Sequence, residues 1–171
     1  KRPASTFNPT QGKVDTDQWV RLLKKAGFKR VIITLKHHDG FCTWPTKQTD
    51  YNIANSPYMN GKGDLAKELS LSCDKYGMDM GIYLSPWDAW EPSYGDASAG
   101  DYNDFYDNQL RELLGGEYGR LNIETGKREI VEIWLDGATG AGVAHQTYDF
   151  ARYVATVRQL QPKCLTWMTL A

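Results

Sequence analysis

Four times along this chain, a segment of helical periodicity is followed by a short, nearly continuous apolar run, and that alternation restricts the fold more than any other feature. In the first unit Trp19, Leu22, Leu23 and Ala26 recur at i, i+3, i+4 and i+7. The spacing predicts a helix over Thr16–Ala26, capped by Asp15, with Gln18 three residues on and Gly27 as its stop. Arg30–Leu35 follows as a strand. Asp64 opens a second helix on which Leu65, Leu69, Ser72, Cys73 and Tyr76 share a face; Gly77 closes it and Met78–Leu84 is the next strand. The last two units pair a helix over Tyr102–Leu114 with a strand over Ile130–Leu135, and a helix over Tyr148–Leu160 with a strand over Lys163–Met168. The polar stretch Arg120–Arg128 reads as an insertion, with an exposed turn at Glu124–Lys127. Strands rich in Ile, Val, Leu and Met without polar alternation are expected to be parallel, buried on both faces and covered by helices.

The connections are unequal. Those after the first two strands, residues 37–63 and 85–101, are long, and those after helices are short, so one rim holds most of the loop material. Parallel α/β enzymes place their sites at that rim, at the C-terminal ends of the strands. Four strands make half of an eight-stranded barrel, which typically takes about 250 residues. The chain is therefore read as either a small open sheet or a piece, and its start inside a helical unit and its end soon after a strand favour a piece.

A length of 171 residues, 41% of them hydrophobic, suffices for a core of about one domain. The formal charge of −1, from 20 basic and 21 acidic residues, supplies no field to attract nucleic acid or an anionic membrane. No apolar run approaches the roughly 20 residues that cross a bilayer. A neutral partner fits this charge better. Cys42, Cys73 and Cys164 lack metal-type spacing. Several aromatic residues fall in loops (Trp44, Trp87, Trp90, Tyr51, Tyr58 and Tyr94), where their faces can stack on a sugar ring or anchor the loop.

Three strands end in polar clusters: KHHDGF from Lys36, SPWDAWEP from Ser85, and Trp134-Leu135-Asp136-Gly137. Parallel strands deliver all three to one rim. If strand geometry persists, His37 and His38 point in different directions, and two imidazoles can serve two hydroxyls of one small polar ligand. Asp136, with Trp134 two residues back on the same face, can act as nucleophile, general base or metal ligand. Against a metal, His37, His38 and Asp39 are consecutive and match no zinc spacing. Neither a Gly-x-Ser-x-Gly elbow nor a phosphate loop is present, since Gly61–Asp64 lacks the required spacing.

KHHDGF at a strand end, the NGKGD–helix–YLSPWD run and IWLDGA, in that order, resemble the α-L-fucosidases of glycoside hydrolase family 29, and YLSPWD is similar to the branch preferring α-1,3/1,4-linked fucose. The resemblance runs from Phe7 to the segment near Cys164. It implies an α/β fold, a partial (β/α)8-like (TIM) barrel with its helices outside. Residues 1–171 would be part of a single catalytic domain that lacks the N- and C-terminal parts of the barrel. It implies a retaining exo-hydrolysis releasing terminal L-fucose from a fucosylated oligosaccharide or glycoconjugate, with no cofactor and no metal. Asp136 matches the nucleophile, and His37 and His38 match residues that bind fucose hydroxyls. Trp44, Tyr83 and Trp87 fall in segments that line the sugar pocket.

The family's acid/base, typically a glutamate in a later loop, is expected beyond Ala171; its additional pocket histidine, from the first barrel strand, has no counterpart. Asp88 and Glu91 are not assigned to the acid/base role. A secreted, periplasmic or lysosomal-type setting is likewise implied by the resemblance alone. Two other readings stay open: a non-catalytic fragment that binds fucose or glycan, and a metal-dependent barrel hydrolase.

Overall fold

A computed structural model of the chain describes residues 2–9, 13–136 and 145–169, with Thr169 described by its backbone alone. Gly137 lies outside the described residues. Helix α1 (Thr16–Lys25) starts where Asp15 Oδ1 accepts the Gln18 N–H at 2.8 Å, and α2 (Leu65–Tyr76) starts where Asp64 accepts that of Lys67 at 3.0 Å. Each cap satisfies one of the amides that a helix start leaves without a partner. Gly77 ends α2 at φ +62°, in the left-handed region that a side chain disfavours. Asp101 and Asp149 cap α3 (Tyr102–Leu114) and α4 (Phe150–Leu160) in the same way.

The strands in chain order are β1 (Arg30–Lys36), β2 (Asp79–Leu84), a hairpin of β3 (Arg120–Asn122) and β4 (Lys127–Glu129), β5 (Glu132–Asp136) and β6 (Leu165–Thr169). The main sheet has the order β1-β2-β5-β6 and is parallel throughout. Chain order equals spatial order, so the winding never reverses, and the helices pack on one face: an arc of a (β/α)8-like barrel. On that face Leu35, Met80, Ile82, Leu84, Ile133 and Leu135 form one core with Val20, Leu69, Cys73, Tyr106, Leu110 and Val157.

The opposite face departs from the expectation of strands buried on both sides. Trp134 and Trp167 are register partners, and they are 45% and 56% exposed. Leu165, two residues before Trp167, is exposed as well.

The stretch read as an inserted turn is a two-stranded antiparallel hairpin. Charged side chains fasten it to α2 and the start of β2: Arg128 reaches Asp74 and Arg120 reaches Asp79, each at 2.9 Å. Such short strands, built of Arg, Asn, Lys and Glu, carry little β signal, so only their turn was legible. β5 also starts later than expected, because Ile130 and Val131 connect the hairpin to it.

Candidate active site

Hydrogen bonding at the end of β1 shapes the KHHDGF segment. The strand stops at Lys36, and the Gly40 N–H closes a turn on His37 O at 3.0 Å. Residues in a turn do not alternate as strand residues do. The expected divergence of His37 and His38 is therefore replaced by neighbouring rings, with centroids 4.1 Å apart and planes at 56°. His37 also stacks on Tyr83 from β2, at 5.4 Å and 10°. His38 lies against Trp87, 4.5 Å between centroids.

β2 and β5 supply the other side. The Tyr83 hydroxyl donates to Asp136 Oδ2 at 2.9 Å, and the Tyr83 ring meets Trp134 edge-on at 6.2 Å. One carboxylate oxygen of Asp136 is thereby held. Burial, and then the hydrogen bond to Asp136, push the Tyr83 phenol far above its usual range, so it remains a donor.

Ser85 ties all three strand ends together. Its Oγ lies 2.7 Å from His38 Nδ1, 2.8 Å from the Trp87 carbonyl and 3.3 Å from the Asp136 carbonyl. A hydroxyl has one proton and a carbonyl can only accept, so the Ser85 proton goes to a carbonyl and His38 Nδ1–H is the donor to Oγ. The neutral His38 ring then carries its lone pair on Nε2, where it can accept a hydrogen bond from a ligand hydroxyl. Burial, and then the neighbouring His37, lower the His38 pKa against the opposing pull of Asp136 and Asp39, which favours the neutral ring.

Five of the six residues singled out by sequence meet here: His37, His38, Tyr83, Trp87 and Asp136 are linked by the contacts above. Trp44 is set apart. It is 1% exposed and belongs to the core, and its indole N–H is donated to Glu112 at 3.1 Å, a carboxylate that also holds Thr46, Lys47 and Gln48. Tyr51, Tyr58 and Tyr94 are likewise buried loop anchors. Two further residues join the site: Trp134, which the sequence placed two residues before Asp136 on the same face without giving it a sugar contact, and Ser85, whose only signal was its position as the first residue after β2.

The nearby carboxyl groups are occupied. Asp88 pairs with Lys36 at 3.0 Å, and Glu91 accepts from the Ser93 hydroxyl at 2.8 Å. Among the described residues no three His, Cys, Asp or Glu side chains converge in a way that could hold a metal ion.

The alpha-L-fucosidase family model matches residues 1–169. Alpha-L-fucosidase 1 of Arabidopsis thaliana is 44% identical over 165 residues, which are 96% of this chain and 30% of that protein. A putative alpha-L-fucosidase 1 of Oryza sativa subsp. japonica is 43% identical over 88% of this chain and 26% of its own length. Among solved structures, SpGH29 superposes with a TM-score of 0.87 at 44% identity, covering 99% of this chain and 36% of that one. A Ruminococcus gnavus GH29 fucosidase in complex with fucose gives 0.82 at 40% identity, over 94% of this chain and 34% of its own. The chain thus spans about a third of the length of these relatives. On the match of the family model along nearly its whole length, the chain belongs to the alpha-L-fucosidase family.

Proposed function

We propose that the protein carrying this chain is a retaining exo-α-L-fucosidase in which Asp136 is the nucleophile. The supporting observation is the Ser85 hydroxyl, which touches His38, the Trp87 backbone and the Asp136 backbone at once and so joins a neutral hydrogen-bonding ring, an aromatic wall and a carboxylate in one small site. In the first step the Asp136 oxygen not bonded to Tyr83 attacks the anomeric carbon while the bond to the leaving oxygen breaks, and that oxygen takes a proton from an acid. Water then cleaves the glycosyl-enzyme, with the same acid group acting as base. His37 and His38 hold sugar hydroxyls, Tyr83 orients Asp136, and Trp87 and Trp134 face the apolar side of the ring.

The acid/base carboxyl, which retaining enzymes set about 5–5.5 Å from the nucleophile, is assigned to a part of the protein outside these residues. The exposed Leu165 and Trp167, with β1 and β6 at the edges of the described sheet, support reading residues 1–171 as part of a single catalytic barrel whose remaining strands cover them. The fucosylated substrate is read as carrying α-1,3/1,4-linked fucose, from the YLSPWD run.

Asp136→Ala in the protein that carries this chain is expected to abolish hydrolysis of an aryl α-L-fucoside while L-fucose still binds. Retained turnover would reject the nucleophile assignment. A wild-type protein that binds fucose without turnover would favour the binding-only reading, and loss of activity on chelation would favour a metal hydrolase.

A further inference from the structure

Lys36 and Asp88 have no part in the chemistry above, yet each belongs to one of the two motifs that build the site. Lys36 Nζ lies 3.0 Å from Asp88 Oδ2, and the two side chains are 0% and 2% exposed. Tyr102 Oη accepts from Lys36 Nζ at 3.4 Å and itself donates to the Pro86 carbonyl at 2.5 Å. The rings of Phe105 and Tyr106 flank the ammonium at 5.2 and 5.1 Å. Asp88 Oδ1 accepts the N–H groups of Trp90 and Glu91, both at 2.9 Å. Gly40 closes over the same carboxylate: at φ +83°, a Cβ placed there would overlap Asp88 Oδ1 and come within 2.7 Å of Trp90 Cβ.

The ion pair and the close approach of Gly40 to Asp88 join the end of β1 to the β2 loop, and Tyr102 of α3 bridges Lys36 to the Pro86 carbonyl. The backbone adds two more, from the Ser85 N–H to Lys36 O at 3.0 Å and from the Ala89 N–H to His38 O at 2.8 Å. The residues between these fastenings are those that face the sugar: His37 and His38 follow Lys36, and Trp87 precedes Asp88. Burying two charges costs about as much as their attraction returns, so apolar residues of similar volume would stabilise the fold as well. Apolar residues lack a directional contact that sets one loop against the other.

We infer that Lys36 and Asp88 are positioning residues: their buried ion pair fixes the placement of His38 and Trp87 relative to each other, and through it the affinity for the sugar. The inference rests on the fucose-binding reading above.

The test compares wild-type protein, in its full length, with Lys36→Met/Asp88→Leu and with Asp88→Asn. Thermal melting, L-fucose titration and the nitrogen-15 NMR signal of His38 Nδ1 are measured for each. The double variant is expected to melt below wild type, because leucine cannot accept the Trp90 and Glu91 N–H groups, yet to stay folded and bind L-fucose at least tenfold more weakly, with the His38 Nδ1–H signal broadened or shifted as its bond to Ser85 loosens. Asp88→Asn, which keeps an oxygen for the Trp90 and Glu91 amides, is expected to show the same loss of fucose affinity and the same change in the His38 signal. Wild-type fucose affinity and an unchanged His38 signal in either variant would overturn the inference. Absence of fucose binding in wild type would instead remove the functional reading, while the His38 signal would still report on the clamp.

Discussion

Tyr83 and Asp136, 53 residues apart in sequence, meet across neighbouring strands through a 2.9 Å hydrogen bond from the phenol to the carboxylate. A hydrogen bond to a charged group contributes about 1.5–3 kcal/mol, and if that energy is what holds the carboxylate in its attacking orientation, its loss corresponds to a factor of roughly 10–150 in rate. Tyr83→Phe keeps the ring that stacks on His37 and removes only the donor. It is expected to lower kcat/KM for an aryl fucoside by that factor, with fucose affinity changed far less. Steady-state kinetics with a parallel fucose titration checks this.

His38 makes the site sensitive to acid. Its pKa is lowered in the fold, so the folded protein binds fewer protons at this ring than the unfolded chain does. The stability it contributes is complete above the unfolded pKa of about 6.5 and is lost as pH falls toward the lower folded value. Protonation also removes the Nε2 lone pair to which the proposed function assigns a sugar hydroxyl. Melting temperature and fucose affinity are expected to fall together below about pH 6.5, and His38→Gln is expected to flatten both trends. A pH series of melts and titrations on the two proteins measures the difference in slope.

The tryptophans separate by role. Trp44→Phe removes an indole N–H bonded to Glu112 in the core and is expected to lower stability by about 1 kcal/mol while leaving fucose affinity intact. Trp134→Ala removes a half-exposed ring beside Tyr83 and is expected to weaken fucose binding about three- to tenfold with little change in stability. Denaturant unfolding and fucose titration of both variants distinguish the two effects.

The order of helices and strands was legible because it rests on local rules: Asp15 and Asp64 cap helices, Gly77 stops one, and the apolar runs between are too uniform for alternating strands. Convergence of His37, His38 and Asp136 at one rim followed from parallel topology. The β3–β4 hairpin did not, because it is held by Arg128–Asp74 and Arg120–Asp79 across long sequence separations. Trp44 was assigned to the pocket by the family resemblance, and its core position and bond to Glu112, 68 residues away, were not legible from the motif. The turn at His37–Gly40 hid the pairing of the two imidazoles, since a strand rule was extended one residue too far. Asp88, not assigned to the acid role, pairs with Lys36, a partner that could not be read from either motif alone.

The nucleophile assignment is tested most directly by trapping the covalent intermediate with 2-deoxy-2-fluoro-α-L-fucosyl fluoride. Fluoride departs without a proton, so the first step proceeds without acid assistance, while the electronegative substituent at C2 slows breakdown of the glycosyl-enzyme. Peptide mapping of the inactivated full-length protein is expected to find one fluorofucosyl group on Asp136. A label on any other carboxylate, or full turnover in a protein that never carries the label, would contradict the assignment.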